Sequence, residues 1–310
     1  MENTRAKTTR NSLILLLTAT IWGMAFVSQS KGMDYMHPFT FNGVRSLIGA
    51  AGILLYILIS RKIAGDKAAK LDWKLNVRAG LLCGIFLTIA STLQQFGIKY
   101  TSVGKAGFIT TLYIIFVPMF GIFLKKKVAP VVWAAAGMAA VGMYLLCMTE
   151  SLSLGAGDIM VFLCAIAFAI QIMTVDHYAA RIDGAVVSCI QFTVCGVVCC
   201  IGALIWGQPT FGQLQEGLGA LLYAGVLSCG VGYTLQIVGQ KGLNPTVAAL
   251  IMSLESVIAT ISGWIAYKIG FLSTDQTLTP RQIAGCVIVF AAVILVQLPQ
   301  EWFRLGKKNA

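Results

Sequence analysis

Charged side chains are scarce in this sequence. Only 11% of its 310 residues are Asp, Glu, Lys or Arg, whereas soluble domains carry about 25%. A water-soluble globule could not cover its surface with so few charges. The hydrophobic share of 57% and the mean hydropathy of +0.81 point the same way. Together they predict a chain embedded in a lipid bilayer.

Residue patterns that carry enzyme chemistry are also missing. There is no GxxxxGK[ST] phosphate loop, no pair of membrane aspartates, no His-rich cluster and no CxxC pair. The nine cysteines lie in apolar runs, where thiols behave as small hydrophobic groups. Asp176 beside His177 could suggest a metal or proton-relay pair, but the sequence has one other histidine, His37. We therefore expect no enzyme activity, no cofactor and no metal site.

Apolar stretches of about 20 residues alternate with short polar breaks, and one such stretch is long enough to cross a bilayer. The first is interpreted as a retained helix, because it is too long for a signal peptide's apolar core. The predicted fold is all-α, an integral membrane protein with ten transmembrane helices. The expected spans are residues 12–30, 38–60, 78–98, 103–124, 129–147, 155–175, 185–206, 217–240, 245–267 and 281–298.

The distribution of Lys and Arg predicts how the spans are oriented, because cytoplasmic loops carry an excess of these residues. With the N-terminus inside, the inner segments hold 17 basic residues and the outer segments hold five. We therefore expect a multi-pass protein of the cytoplasmic membrane with both termini cytoplasmic. The net charge of +11 follows from this topology. Because the positive charges are scattered over loops, no nucleic-acid partner is expected.

The two halves of the chain resemble each other. Residues 93–121 align without a gap on residues 235–263, at a constant offset of 142, with eight of 29 positions identical. The identities include glutamine, lysine and glycine as well as apolar residues. The predicted repeats are residues 1–148 with spans 1–5 and residues 149–310 with spans 6–10. Since five spans are an odd number, the second repeat enters the membrane from the opposite side. Inverted repeats are a common transporter architecture, with the substrate near the midplane between the halves.

Several short motifs carry a family resemblance. They are Ile21–Phe26, Pro38 with Arg45, the stretch Lys99–Gly107, the stretch Ser253–Val257 and Gly157–Asp158. In this order and spacing they resemble the drug/metabolite transporter superfamily, in particular its EamA-type ten-helix members. Ser256 departs from the pattern, since the family often has proline after the glutamate, and this leaves a kink in span 9 open.

The resemblance implies export of small metabolites, amino acids or drugs, often coupled to protons. We therefore expect a secondary active transporter that works by alternating access. The alternative is a channel or a membrane interaction protein that transports nothing. Expected partners are a small-molecule substrate and the lipid bilayer, with protons and a homodimer left open.

Glu255 is the foremost candidate site residue. It lies about ten residues into span 9 and hence near mid-bilayer at about 1.5 Å per residue. A carboxylate there is costly unless it faces a cavity, finds a partner or takes up a proton. It suits a proton-coupling or cation-binding group, or alternatively a protonated glutamate that joins two helices. Tyr113 is its repeat partner at the same expected depth.

Arg45 is a second charged candidate, about seven residues into span 2. It could attract an anionic substrate group, but it could also snorkel outward or cap helix-end carbonyls. The structural role is favoured. The aligned residue of the second half is Gln191, which is neutral.

Polar and aromatic residues inside spans complete the candidate site. Intramembrane amides should face the bundle interior, as interhelical ties or as substrate ligands. The matched pair Gln94 and Gln236 favours a shared scaffold role, whereas Gln171 is open to either role. Trp22, Tyr113 and Tyr233 suit a cavity wall, although most aromatic residues serve packing or interface anchoring. The predicted amides and aromatic residues are Gln94, Gln95, Gln171, Gln236, Trp22, Tyr113 and Tyr233.

Overall fold

The computed structural model describes residues 2–65, 71–124, 128–147, 155–273 and 275–297, and no strand occurs within these ranges. Two π-helical segments, Ala203–Gly207 and Tyr223–Gly232, continue α8 and α10. The α-helices are α1 (Glu2–Gly32), α2 (Pro38–Ala64), α3 (Trp73–Ile98), α4 (Val103–Thr111), α5 (Tyr113–Phe123), α6 (Pro130–Cys147), α7 (Ala156–Tyr178), α8 (Gly184–Gly202), α9 (Phe211–Glu216), α10 (Leu218–Leu222), α11 (Tyr233–Gln240), α12 (Pro245–Met252), α13 (Leu254–Lys268) and α14 (Pro280–Gln297).

Eight helical stretches are long and apolar enough to cross a membrane. They correspond to the predicted spans 1–4 and 6–9. Two further apolar helices, Pro130–Gly142 and Pro280–Leu295, lie at the places of spans 5 and 10 and are shorter. The eight stretches are Lys7–Gly32, Pro38–Ala64, Trp73–Ile98, Val103–Phe123, Ala156–Tyr178, Gly184–Gly207, Leu218–Gln240 and Pro245–Lys268.

Several predicted features lie outside the described residues. The boundary between the predicted repeats, at residues 148 and 149, is one of them. Some of the basic residues that contribute to the predicted topology also lie outside them, at positions 67, 70, 125–127, 304, 307 and 308. Residue 298, at the end of predicted span 10, lies outside them as well.

Local chemistry explains where the helices begin. Prolines occupy the first position of four helices, where the missing N–H would have no partner within the helix. Side-chain oxygens satisfy free N–H groups at other starts. Asp72 accepts from the Leu75 N–H at 3.0 Å, and Asp183 accepts from the N–H groups of Ala185 and Val186 at 2.9 and 3.1 Å.

The N-cap of α2 is a histidine. The His37 Nδ1 accepts a hydrogen bond from the Phe39 N–H at 3.4 Å. Burial and the nearby Lys99 ammonium hold the pKa of His37 below its ordinary value of 6.5. Because a protonated Nδ1 cannot accept a hydrogen bond, the cap depends on the neutral ring.

This cap makes the stability of the fold dependent on pH. As pH falls through 6.5, the unfolded chain binds the proton first, so the native state loses stability until the lowered folded pKa is passed. Above 6.5 both states hold a neutral ring and the contribution vanishes. We expect the Tm of wild type to fall between pH 7.5 and 5.5, and to fall less in His37→Asn, since asparagine is a good N-cap. Thermal unfolding of the two proteins at both pH values measures the difference. His177→Asn is the matched control, and an equal slope in wild type and His37→Asn would contradict the prediction.

Spans 4 and 9 are each interrupted, within one residue of the same place at the alignment offset of 142. Leu112 separates α4 from α5, and Ser253 separates α12 from α13. Just before or at each interruption a hydroxyl bonds back to a carbonyl three residues earlier. These bonds run from Thr111 Oγ1 to the Phe108 oxygen at 2.9 Å and from Ser253 Oγ to the Leu250 oxygen at 2.7 Å. Such bonds compete with the helix ladder, so span 9 is interrupted without a proline.

The helices pack closely through glycine. A Cβ at Gly97 in α3 would lie 2.8 Å from the Gly157 oxygen of α7, and a Cβ at Gly142 in α6 would lie 2.9 Å from the Gly285 oxygen of α14. At such positions a side chain would push the backbones apart, so small residues set the distance between spans. The main pairings are α2 with α8, α6 with α14, α3 with α7 and α8, and α1 with α13 and α11.

Candidate functional site

A narrow cavity lies at the centre of the bundle. All eight long spans contribute to its wall, and none of the described residues of α6 or α14 does. The centre of a water molecule can move through only about 40 Å³ of it. The lining residues are Trp22, Phe26, Gln29, Arg45, Ser46, Leu87, Ser91, Gln94, Thr110, Tyr113, Phe168, Gln171, Ile172, Phe192, Ser228, Cys229, Tyr233, Gln236 and Glu255.

The wall repeats the symmetry of the sequence. Six pairs of lining residues are separated by 142 positions, the offset of the sequence alignment. Spans 1, 3 and 8 each present residues spaced i, i+4 and i+7, which share one face of a helix. The pairs are Phe26 with Phe168, Gln29 with Gln171, Leu87 with Cys229, Ser91 with Tyr233, Gln94 with Gln236, and Tyr113 with Glu255.

The pair Tyr113 and Glu255 is in direct contact. The Tyr113 hydroxyl donates a hydrogen bond to Glu255 Oε1 at 3.1 Å. The tyrosine is 2% exposed and the glutamate 3%. Both residues directly follow the helix interruptions, Tyr113 as the first residue of α5 and Glu255 in the first turn of α13. The positive end of a helix dipole favours an acidic group in its first turn.

The intramembrane glutamines form ties across the cavity. Gln171 Nε2 and Gln236 Oε1 are 3.5 Å apart, and Gln236 Nε2 donates back to Gln171 Oε1 at 3.2 Å. Gln171 Nε2 also lies 3.5 Å from Gln191 Oε1. Gln94, the repeat partner of Gln236, donates instead to Thr110 Oγ1 at 3.1 Å, within the first half. The two partners therefore line the cavity at equivalent places but bind different residues.

Aromatic rings form one side of the cavity. The Trp22 and Tyr233 ring centroids are 4.5 Å apart, and Phe192 meets Tyr233 edge to face at 5.0 Å. Edge-to-face and tilted contacts at these distances are favourable between aromatic rings. Trp22 and Tyr233, predicted from the sequence as candidates for a cavity wall, lie on it.

Comparison with known proteins identifies the family. The sequence model of the EamA-like transporter family matches residues 10–148 and residues 155–298. The chain belongs to the EamA-like transporter family. With its eight long apolar spans, it is a multi-pass membrane protein, as its composition predicted.

Relatives of this EamA-like transporter come from archaea and bacteria. An uncharacterized transporter of Archaeoglobus fulgidus is 27% identical over 290 residues, covering 92% of this chain and 84% of the relative. The uncharacterized transporter YwfM of Bacillus subtilis is 24% identical, covering 92% and 93%. A crystal structure of a protein 16% identical in sequence superposes with a TM-score of 0.72, covering 96% of this chain and 99% of that one. This likeness shows a shared fold.

Arg45 of this EamA-like transporter lies on the cavity wall and is 5% exposed. Its guanidinium carbon lies 5.3 Å from the centroid of the Phe41 ring. No described residue accepts a hydrogen bond from it, and its Nε is enclosed without a partner. The two structural roles suggested by the sequence were outward snorkelling and capping of helix-end carbonyls. Neither is seen among the described residues, because the side chain does not reach the surface and bonds to no carbonyl.

Gln95 is the predicted candidate that the structure places elsewhere. Its Nε2 donates to the Gln29 carbonyl at 3.2 Å, which joins α3 to α1, and the residue does not line the cavity. This bond is an interhelical tie, one of the two roles that the sequence left open for the intramembrane amides.

Sequence reasoning missed several lining residues, of which Gln29 and Ser91 are the most polar. Gln29 stands seven residues after Trp22, and Ser91 stands three before Gln94. Both spacings place them on the same helix face as a residue that was predicted. Helical periodicity applied from Trp22 and Gln94 would have identified them.

Two sets of polar contacts hold the opposite ends of the bundle. At one end Lys105 Nζ pairs with Asp158 Oδ2 at 2.6 Å, and Thr101 Oγ1 donates to Asp158 Oδ1 at 2.9 Å. At the other, Asn11 Nδ2 donates to the Lys241 carbonyl at 2.7 Å, and Lys241 Nζ donates to the Ile182 carbonyl at 3.2 Å. These contacts join spans 4 and 6 at one end, and span 1 with the loops after spans 6 and 8 at the other.

Among the residues that the structure describes, no group of three or more His, Cys, Asp or Glu side chains could hold a metal ion. The cavity wall has one basic side chain, Arg45, and one acidic side chain, Glu255. Its chemistry is thus a guanidinium and a carboxyl group on a wall of amides, hydroxyls and aromatic rings.

Proposed function

We propose that this EamA-like transporter is a secondary active transporter that exports a small solute in exchange for protons, by alternating access to the central cavity. It consists of ten spans in two inverted halves, residues 1–148 and 149–310, with both termini on the cytoplasmic side of the cytoplasmic membrane. Glu255 is the proton-coupling group.

The hydrogen bond between Tyr113 and Glu255 carries the proposal. These residues are repeat partners, separated by 142 positions, and they touch. In an object with approximate two-fold symmetry, a residue contacts its own equivalent only near the symmetry axis. The contact therefore supports an axis that passes through the cavity wall, beside the carboxyl group.

Further equivalences support the two inverted halves. The helix interruptions at Leu112 and Ser253 lie one residue apart in the repeat numbering, and discontinuous helices are typical of transporter binding sites. A Cβ at Gly97 would clash with Val161 of α7, and one at its partner Gly239 would meet Leu15 of α1 at 2.8 Å. The same family model also matches both parts of the chain.

The mechanism follows from the size of the cavity. Because so little free volume remains, a solute enters only when the helices separate at one end of the bundle. Opening one end breaks the Lys105–Asp158 contacts, and opening the other breaks the Asn11 and Lys241 contacts. A buried carboxylate is costly, so Glu255 takes up a proton from the acidic side and releases it on the other. Solute and proton thus occupy the cavity in turn.

Flux measurements in proteoliposomes test this function. The full-length protein is reconstituted, a pH gradient is imposed with the membrane potential held at zero, and radiolabelled solutes are screened. We expect at least one solute to accumulate on the acidic side with saturable kinetics. Flux that never exceeds equilibration would support a channel instead. No flux for any solute class would support a protein that only binds partners.

A further inference from the structure

Arg45 has the contacts expected of a ligand-binding group. Only 5% of the residue is exposed. Its guanidinium lies above the Phe41 ring, and a cation above an aromatic face keeps its hydrogen-bond donors free. Five N–H donors thus remain for an acceptor.

No acidic side chain of the described residues forms an ion pair with Arg45. Among the described residues the ion pairs are Lys31–Asp34 and Lys105–Asp158, and both lie at the ends of spans. Glu255 shares the cavity with Arg45 but forms no ion pair with it and accepts from Tyr113 instead. An unpaired buried charge is strongly unfavourable, so a purely structural arginine should have acquired an acceptor.

A second donor lies on the same cavity wall. The Trp22 indole nitrogen is enclosed and has no acceptor among the described residues. An indole N–H donates and cannot accept. A guanidinium and an indole N–H, both without acceptors and both on one cavity, are complementary to a group that only accepts hydrogen bonds and carries negative charge. A carboxylate fits that description and matches the planar fork of arginine.

The rest of the wall selects the body of the solute. Tyr233, Phe192 and Phe168 present aromatic faces and edges. When the bundle is closed around the solute, as in this structure, the narrow free space favours a compact molecule. The repeat partner of Arg45 in the sequence, Gln191, does not line the cavity, so one half alone supplies the positive charge.

We propose that the solute of this transporter is a compact organic carboxylate whose negative group binds Arg45 and the Trp22 indole N–H, with its apolar body against the aromatic wall. This inference rests on the proposed transport function, and it names the substrate class. Arg45 would then be a substrate-binding residue.

Equilibrium binding tests the inference. The full-length protein is placed in phosphatidylcholine nanodiscs, whose lipids carry no net charge, and titrated calorimetrically with benzoate, with its neutral analogue benzamide and with the cation benzylamine. We expect saturable binding of benzoate that is about tenfold or more tighter than that of benzamide, since charge-assisted hydrogen bonds are about twice as strong as neutral ones. Benzylamine should not bind measurably.

Variants assign the binding to Arg45. Arg45→Gln should weaken benzoate binding by about tenfold or more and leave benzamide unchanged. Arg45→Lys retains the charge without the planar fork, so its loss of benzoate affinity should be smaller than that of Arg45→Gln. If Arg45→Gln does not fold, Arg45→Lys provides the test instead. Lys31→Gln removes one positive charge outside the cavity and is the matched control, expected to bind benzoate as wild type does.

Three results would overturn the inference. The first is that benzamide or benzylamine binds as tightly as benzoate. The second is that Arg45→Gln binds benzoate as tightly as wild type does. The third is that wild type does not bind benzoate. Because the titration needs no transport, it separates the two proposals. Arg45-dependent binding without concentrative flux would refute the transport function alone, and concentrative flux of neutral or cationic solutes only would refute the carboxylate inference alone.

Discussion

We expect Glu255→Gln to abolish uphill transport driven by a pH gradient, while downhill exchange of the solute and the fold persist. Glutamine has nearly the shape of glutamic acid and retains the acceptor that Tyr113 needs, a carbonyl oxygen in place of Oε1. It cannot exchange a proton, however. The cavity then binds solute in both orientations without any link to the proton gradient.

The size of this effect follows from the free energy of the gradient. One pH unit is worth about 1.4 kcal/mol per proton, or a factor of about ten in concentration. With one proton exchanged per solute and the membrane potential held at zero, wild type should accumulate the solute about tenfold on the acidic side per pH unit. The glutamine variant should reach equal concentrations on both sides.

Two further variants separate coupling from shape. Glu216→Gln makes the same chemical change at the end of α9, on an exposed helix away from the cavity, and should accumulate solute as wild type does. Tyr113→Phe removes the hydrogen bond but keeps the carboxyl group, so it should accumulate solute with a shifted pH dependence. Accumulation that survives in Glu255→Gln would remove Glu255 from the coupling mechanism.

Gly43→Ala and Gly52→Ala, two identical changes in α2, alter stability in opposite directions. A Cβ at Gly43 would lie 2.7 Å from Cys200 Sγ and 2.9 Å from the Cys200 backbone nitrogen of α8. Overpacking of this kind costs about 1–3 kcal/mol. At Gly52 no atom lies within 4 Å of the added Cβ. Alanine there should stabilise the helix by up to about 1 kcal/mol, from helix propensity alone.

Thermal unfolding of the purified variants in one detergent measures both effects. The Tm of Gly43→Ala should lie below that of wild type, and the Tm of Gly52→Ala should lie at or above it. Because α2 faces α8 directly through Gly43, the alanine variant should also transport more slowly. Equal Tm shifts in the two variants would show that the approach of α2 to α8 is looser than described.

The site was predicted from the sequence to an uneven degree. The repeat alignment paired Tyr113 with Glu255 at one depth, since a gapless offset preserves position along the helices. It could not place the hydrogen bond of 3.1 Å between them, because contact depends on how spans 4 and 9 cross. The sequence could not tell that Gln94 lines the cavity whereas Gln95 ties α3 to α1, because polarity alone does not give the direction of each side chain. The free guanidinium of Arg45 was not foreseen, since local sequence cannot reveal that no described residue reaches it as an acceptor.

The interruptions of spans 4 and 9 show a similar limit. Thr111 and Ser253 are ordinary residues of apolar helices in the sequence, and a hydroxyl can either bond to its own helix or face a neighbouring one. Here both bond to a carbonyl three residues earlier. The choice depends on the packing around them.

The sequence by itself determined that this chain crosses a membrane many times and where its eight long spans lie. Within a bilayer every backbone N–H and C=O must bond inside its own segment, so an apolar stretch of sufficient length can only be helical. The tertiary structure alone decided which face each helix turns to the cavity and how near the helices approach. Lipid tails are as apolar as the side chains they touch, so hydrophobicity does not orient a helix. The packing of the spans does, with close approach at residues such as Gly43 and Gly97. In this packing Tyr113 meets Glu255, and no described residue accepts a hydrogen bond from Arg45.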